Sequence, residues 1–312
     1  MQVMSPALPL DALRSAFGKR LRQNQPLARY TSARIGGSAD TLVDIHTADQ
    51  LAEAAQTLWD LGLPFIVLGG GSNMLVSDAG LRSVVLFNQA STVRFEEAAN
   101  GPTVWAESGA GLGSIARQAA TKGLGGLEWA AGIPGTIGGA VFGNAGAHGG
   151  DISMVLEMAT ILHRTEGRKD WTGQDLAYEY RGSWLKLHPG DAIVLSARLA
   201  LAKKPQAEIR AKMDTFLAYR RLTQPPGASM GSMFKNPPGG SAGQLIEAAG
   251  LKGKRIGNAQ ISPLHANFFL NLGSARAADV YALIQEARAA VGQHSGIDLE
   301  LEIELVGEWP AN

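Results

Sequence analysis

The run 129–150, WAAGIPGTIGGAVFGNAGAHGG, contains no Asp, Glu, Lys or Arg and is built mainly of Gly, Ala and a few branched residues. An uncharged stretch of that length belongs in a membrane, in a core or under a ligand. A membrane helix fits poorly, because Pro134, the density of Gly and the central Asn144 would leave polar groups unsatisfied in lipid. Residues without bulky side chains instead let another molecule approach the backbone. The N–H groups exposed in such turns form anion-binding concavities. The run therefore reads as a cradle for a large, flat, phosphate-bearing ligand. On these residues alone, a tightly packed Gly/Ala core loop is the competing reading.

Further Gly-rich turns point the same way. Residues 64–68 (PFIVL) form a buried-strand pattern that runs into Gly69-Gly70-Gly71-Ser72-Asn73. Gly109-Ala110-Gly111-Leu112-Gly113-Ser114 opens a helix with Leu112, Ile115, Ala116 and Ala119 on one face, ending near Gly123. An extended stretch from Tyr30 ends in the double Gly of Arg34-Ile35-Gly36-Gly37. A strand feeding a Gly-rich loop is a common phosphate-site layout. The two best-known motifs are nevertheless absent. No G-x-x-x-x-G-K-[ST] exists, since the Lys after Gly18 and the Lys after Gly253 are each followed by Arg. Met74 stands where a G-x-G-x-x-G from Gly69 requires Gly. A P-loop ATPase and a standard dinucleotide fold are both disfavoured.

Lys+Arg and Asp+Glu both number 28, so no global field attracts nucleic acid or an anionic membrane. The expected partner is a small molecule. There are no cysteines, which removes disulfides, thiolate nucleophiles and zinc–thiolate sites. His46, His148, His163, His188, His265 and His294 are scattered, without the i, i+4 spacing of a metalloprotease helix, so no metal is expected. The N-terminus lacks a basic segment followed by an unbroken apolar run. A cytoplasmic protein is expected; a monomer is the working expectation.

The remaining pattern is mixed. Residues 9–22 read as an amphipathic helix, 41–45 as a strand, and Thr47-Ala48-Asp49-Gln50 as a capping box. That box opens a helix with Leu51, Ala54, Ala55 and Leu58 inward and Gly62 as its stop. Strands are expected at 84–87, 103–107, 158–163, 192–201 and 267–270. Lys203-Lys204-Pro205 reads as a domain boundary before a helix with Ile209, Met213, Phe216 and Leu217 inward. Helices are also expected at 243–249 and 277–291. The end alternates strictly: Leu299, Leu301, Ile303 and Leu305 on one face, Glu300, Glu302 and Glu304 on the other, the pattern of a solvated edge strand.

Taken together, the motifs resemble the flavin-dependent UDP-N-acetylenolpyruvoylglucosamine reductases. The markers are Arg34-Ile35-Gly36-Gly37, Leu68-Gly69-Gly70-Gly71-Ser72-Asn73, Gly132 to Ala140 with Asn144-Ala145-Gly146-Ala147, and Tyr180-Arg181-x-Ser183. Gly231-Ser232-x-Phe234-Lys235-Asn236-Pro237, Ala242 to Glu247 and Ala249-Gly250-Leu251-Lys252-Gly253 complete the set. The resemblance implies an α+β fold: an FAD-binding domain of the vanillyl-alcohol-oxidase type with two subdomains, then a smaller α+β substrate domain. The corresponding limits are 1–30 for an N-terminal helical segment, 31–202 for the FAD domain and 203–312 for the substrate domain. The compact tract 161–180 is similar to the family branch without long substrate-domain insertions. The implied FAD contacts are Arg34, Ile35, Gly36, Gly37, Leu68, Gly69, Gly70, Gly71, Ser72, Asn73, Met74, Gly132, Ile133, Pro134, Gly135, Thr136, Gly138, Gly139, Ala140, Asn144, Ala145, Gly146 and Ala147. Ser38 stands where some superfamily members carry a flavin-linked His, so the FAD is expected to be non-covalent.

The implied reaction is reduction of UDP-N-acetylglucosamine enolpyruvate to UDP-N-acetylmuramate, with NADPH as hydride donor. Hydride reaches the terminal methylene carbon and leaves negative charge beside the carboxylate. By resemblance, Arg181 stabilises that charge at the carboxylate, Ser232 donates the proton and Glu302 stabilises the aci-carboxylate. The family pattern around Glu302 differs here at Leu301 and Glu304, and position 148 is His where many relatives have Tyr. Tyr180, Arg221, Gln224, Lys235, Asn236, Ser262 and His265 are the implied contacts to the sugar nucleotide, Arg and Lys suiting diphosphate by charge and fork geometry. The rival readings are an oxygen-using sugar or lactone oxidase of the same superfamily and a non-catalytic protein that holds FAD as a structural ligand.

Overall fold

The computed structural model describes residues 8–309. Residues 1–7 of the expected N-terminal segment and 310–312 of the expected substrate domain lie outside the described residues. The chain divides into two compact units that are discontinuous in sequence. The first takes the chain up to Gln23, Thr41–Gly70 and Ser83–Tyr219; the second takes Asn24–Asp40, Gly71–Arg82 and the chain from Arg220.

The first unit contains a five-stranded antiparallel sheet in the order Gly167–Trp171, Leu156–His163, Ala192–Ala200, Gly101–Glu107 and Val93–Ala98. The central strand Ala192–Ala200 serves two cores, because the register shift at Leu195 changes which face the following side chains take. Val194, Ala197 and Leu199 join Val104, Ile115, Trp129, Ile137 and Val141. Ile193 and Leu195 join Leu13, Val43, Leu51, Leu58, Val84 and Leu86. Phe65–Leu68 pairs in parallel with Leu81–Asn88, Phe65 opposite Val84.

The helix Ala48–Asp60 connects the strands Ser38–Ile45 and Phe65–Leu68. Thr47 Oγ1 accepts from the Gln50 N–H at 3.1 Å, as the capping pattern predicts, and Gln50 returns its side-chain oxygen to the His46 N–H at 2.9 Å. The buried Glu107 also serves this end, its two carboxylate oxygens accepting from Ala48 N at 2.7 Å and Thr92 N at 2.8 Å.

Three expectations change. The first helix is only Leu10–Phe17: Gly18 sits at φ +53, where the helix cannot continue, and Leu21–Pro26 is already a strand. The helix Gln206–Thr223 does not follow a boundary at Lys203-Lys204-Pro205. Its Ile209 and Met213 are buried in the first unit's core, so the division falls at Tyr219 and Arg220. The strands Val93–Ala98 and Gly167–Trp171 form the two edges of the sheet and carry polar sequences, VRFEEA and GRKDW, that hide them from an apolar-run search.

The second unit packs the helices Ala242–Ala248 and Ala277–Ser295 with a three-stranded antiparallel sheet, Arg255–Ile256, Ala259–Ile261 and Phe269–Asn271. Phe234, Phe269, Ile246, Val280, Leu283, Ile284, Leu299 and Ile303 form its core. Asp78 caps the longer helix, accepting from the N–H groups of Ala277 and Ala278 at 2.9 Å each. The C-terminal alternation yields less strand than expected. Only Glu304–Val306 joins a ladder, parallel to Met74–Val76, while Leu301 makes a single bridge to Phe234. Among the described residues no helix is long and apolar enough to cross a membrane.

Candidate functional site

In the first unit, three Gly-rich turns converge backbone to backbone. Gly138 N donates to Ser108 O at 2.7 Å, Ile137 N to Ala110 O at 2.8 Å and Leu112 N to Gly135 O at 3.1 Å. A Cβ on Gly69 would stand 2.6 Å from Thr136 Oγ1, one on Gly70 3.2 Å from Gly135 Cα, and one on Gly138 2.9 Å from Ser108 Cβ. Here small residues are required by close approach. Within the uncharged run, Thr136 caps the helix Ile137–Gly143 through the Gly139 N–H at 3.4 Å, and Asn144 ends it at φ +45. The Asn144 side chain then holds the loop, donating to Glu179 O at 3.1 Å and accepting from Ser153 N at 3.0 Å.

Arg181 is brought to this run. Its guanidinium donates to Gly146 O at 2.9 Å and lies 5.2 Å from the centre of the Tyr180 ring, which is 55% exposed. Arg181 sits at φ +55, a backbone state a large side chain adopts only under constraint. Ser183, the last residue of the Tyr-Arg-x-Ser motif, donates to Phe142 O at 2.5 Å and accepts from Lys186 N, so it anchors the loop. His148 stacks on Phe216 at 4.3 Å and meets Tyr219 edge-on at 5.7 Å. The ring at position 148 thus packs on the helix Gln206–Thr223.

The remaining turns belong to the second unit. Arg34 takes φ +56, and Thr31 holds this corner by donating its hydroxyl to Ile35 O at 2.9 Å. A Cβ on Gly37 would fall 2.3 Å from Asp78 O, and one on Gly71 2.1 Å from Tyr30 O. The Asn271 amide donates to Ala33 O at 2.9 Å, a contact that sequence alone did not suggest.

The segments that carry Ser232 and Glu302 adjoin in this unit. Ser232 bridges Phe268 and Phe234 bridges Leu301, so the segment 232–235 lies between two neighbours. Glu302 N donates to Met233 O at 2.9 Å, and the Asn73 amide donates to Glu302 O at 3.0 Å. The three C-terminal glutamates are thereby distinguished. Glu300 is an exposed carboxylate ion-paired with Lys235, Glu302 lies beside Met233, and Glu304 enters the ladder opposite Met74.

Other expected contacts have local structural work. Asn236 Oδ1 accepts from Ala242 N at 3.1 Å and caps the helix there. Ser262 is fully buried, and its Oγ accepts from Leu264 N and His265 N at 3.0 and 3.2 Å. It shapes the loop that carries His265. Arg221 is exposed and Gln224 half-buried, at the end of the helix Gln206–Thr223.

Burial pushes the His265 imidazole below its ordinary pKa, with Lys252 acting in the same direction against a backbone hydrogen bond and Glu247. Its Nδ1 accepts from Asn267 N at 3.3 Å, which requires that nitrogen to be unprotonated. The folded state therefore binds this proton less readily than the unfolded chain. Its stability contribution is complete above about pH 6.5 and is lost as pH falls through that value towards the folded pKa. Urea midpoints measured at pH 7.5 and 5.5 should fall further in the wild type than in His265→Gln. Equal falls would remove His265 as the source.

Comparisons with known proteins identify both halves of the chain. A model of the UDP-N-acetylenolpyruvoylglucosamine reductase C-terminal domain matches residues 222–306, and an FAD binding domain model matches residues 39–167. The chain is 42% identical to the UDP-N-acetylenolpyruvoylglucosamine reductase of Chloroflexus aggregans over 92% of this chain and 97% of the relative. It is 43% identical to that of Chloroflexus aurantiacus over the same shares. The crystal structure of the Thermus caldophilus reductase superposes with a TM-score of 0.77 at 36% identity, covering 92% of this chain and 98% of that one. Motifs, fold and near-complete coverage agree: the chain belongs to the UDP-N-acetylenolpyruvoylglucosamine reductase family.

Proposed function

We propose that this protein reduces the enolpyruvyl ether of UDP-N-acetylglucosamine to the lactyl ether of UDP-N-acetylmuramate, a step in peptidoglycan precursor synthesis. It is an FAD-dependent oxidoreductase, with NADPH as hydride donor. The observation that carries the reading is that Ser232 and Glu302 stand on hydrogen-bonded neighbouring segments, Glu302 N donating to the carbonyl of Met233, the residue after Ser232.

The cradle fits FAD on structural grounds. Gly69 and Gly70 lie so close to Thr136 and Gly135 that an added Cβ would push the two turns apart, and no Asp, Glu, Lys or Arg interrupts 129–150. Arg34 to Gly37, Leu68 to Met74, Gly132 to Ala140 and Asn144 to Ala147 would hold the cofactor non-covalently, mainly through backbone groups. Bound FAD supplies the hydride chemistry, accepting two electrons from NADPH and returning them to the substrate.

The chain's own residues supply the rest. Arg181, positioned by Gly146, pairs with the substrate carboxylate and offsets the charge that builds as the methylene carbon gains hydride. Ser232 passes its hydroxyl proton to the carbon next to that carboxylate, completing the saturated ether. Glu302 stabilises the aci-carboxylate by hydrogen bonding. Tyr180, Arg221, Gln224, Lys235, Asn236 and His265 contact the sugar nucleotide, with Ser262 shaping the loop beneath His265. The matched stretch 39–167 serves FAD and 222–306 the substrate. The protein works in the cytoplasm, as a monomer, without nucleic acid or membrane partners.

An anaerobic visible spectrum tests the reading as a whole. The flavin band should bleach on addition of NADPH and return on addition of UDP-N-acetylglucosamine enolpyruvate. A band that returns only with air would favour the oxidase reading, and no flavin band after addition of FAD would remove the cradle assignment.

A further inference from the structure

We infer that Asn267 is a positioning residue that fixes where Ser232 delivers its proton; the inference rests on the proton-donor reading of Ser232. The Asn267 side chain is 3% exposed and closes on Phe234 from both directions. Its Oδ1 accepts from Phe234 N at 2.9 Å and its Nδ2 donates to Phe234 O at 2.8 Å. The main chain at 267 adds a third contact, its carbonyl accepting from Met233 N at 2.8 Å, and the next residue, Phe268, bridges Ser232.

These contacts replace a missing ladder. Residues 231–236 are in no regular strand, and the neighbouring strand begins only at Phe269. The opposite side of the segment is held by Lys235 N donating to Glu300 O at 2.8 Å and Glu302 N donating to Met233 O at 2.9 Å. Asn267 is therefore half of a two-sided clamp whose other half carries Glu302. A serine has one side-chain torsion before its hydroxyl, so backbone placement at 232–234 decides where Oγ can go. An amide is the side chain that offers one acceptor and one donor together without charge, matching a peptide N–H and C=O. Leu at 267 leaves both Phe234 groups buried and unpaired. An ionised Asp satisfies the N–H but sets an oxygen against the C=O.

Both variants, Asn267→Leu and Asn267→Asp, are tested as FAD-loaded full-length protein. Anaerobic stopped flow should show flavin bleaching by NADPH at the wild-type rate. Reoxidation by the enolpyruvyl substrate should be about a hundredfold slower, the scale of a misplacement of roughly 1 Å. The substrate concentration for half-saturation should not move, and the solvent deuterium isotope effect on reoxidation should rise as proton delivery becomes limiting. Amide exchange should accelerate at Phe234 in the absence of any substrate. Wild-type reoxidation in a variant whose Phe234 exchange has accelerated would overturn the inference. So would equal slowing of bleaching and reoxidation in both variants, which marks a general packing role. Normal turnover by Ser232→Ala would instead remove the underlying proton-donor reading. If Ser232→Ala is inactive in reoxidation while both Asn267 variants are normal, only the role of Asn267 falls.

Discussion

Replacing Ser232 by Ala is expected to leave bleaching by NADPH intact and to slow reoxidation by the enolpyruvyl substrate about 10²–10⁴-fold, the usual contribution of a positioned general acid. The two half-reactions separate because hydride transfer from NADPH needs no proton from this hydroxyl. Hydride transfer to the substrate does need it, since the carbon beside the carboxylate is otherwise left as a strong base. A hydroxyl is a weak acid in water, but it suffices for such a centre if it is held in place. Ser232 meets that condition: it bridges Phe268, and the adjoining Met233 is bonded to both Asn267 and Glu302. The substitution removes one oxygen and leaves these backbone bonds in place, so thermal melting should be unchanged. Stopped-flow absorbance under nitrogen reads both rates in one preparation. Reoxidation at the wild-type rate would show that the proton comes from another group, and Glu302 would be the next to examine.

Much of the fold was legible because its cues are local. Thr47 and Gln50 flank the start of a helix whose Leu51, Ala54, Ala55 and Leu58 follow its period, and all four are buried. The uncharged run announced itself by what it lacks, and Thr136 and Asn144 delimit its helix with a cap and a left-handed turn. What stayed hidden depends on distant partners. Nothing near Met74 says that it will lie opposite Glu304, so the membership of Gly71–Arg82 in the second unit could not be read locally. The same distance obscured which glutamate matters, because alternation treats Glu300, Glu302 and Glu304 alike. The tertiary structure separates them by partner: Glu300 pairs with Lys235, Glu302 bonds to Met233 and Glu304 enters the ladder with Met74. Asn267 carried no signal either. An Asn beside Phe268 and Phe269 reads as a polar interruption of a strand, and its amide acquires meaning only where Phe234 arrives. Residue types for the site were thus visible as motifs, whereas the groups that hold them still were not.

Gly69→Ala is expected to lose the flavin on gel filtration, although Ala adds only one methyl group. The new Cβ would stand 2.6 Å from Thr136 Oγ1 and 3.1 Å from its Cγ2. Thr136 cannot simply turn aside, because that hydroxyl caps the helix Ile137–Gly143 through Gly139 N. The turn after Phe65–Leu68 must then separate from the Gly135-Thr136 turn, and N–H groups of the two turns can no longer converge on one diphosphate. Hydrogen bonds to a charged group are worth about 1.5–3 kcal/mol each, so losing two weakens binding roughly 10²–10⁴-fold. Gly143→Ala is the matched control. It lies at the end of the same helix, with nothing within 4 Å of its added Cβ, and Ala is the better helix former. That variant should keep its flavin and melt no lower than the parent. The ratio of absorbance near 450 nm to 280 nm after gel filtration, followed by fluorescence titration with FAD, compares the three proteins on one scale (wavelengths approximate, set by the isoalloxazine and aromatic chromophores). Parent-like affinity in Gly69→Ala would show that the 69–71 turn does not carry the phosphates. Equal loss in Gly143→Ala would locate the sensitivity in the helix rather than in the close approach of the turns.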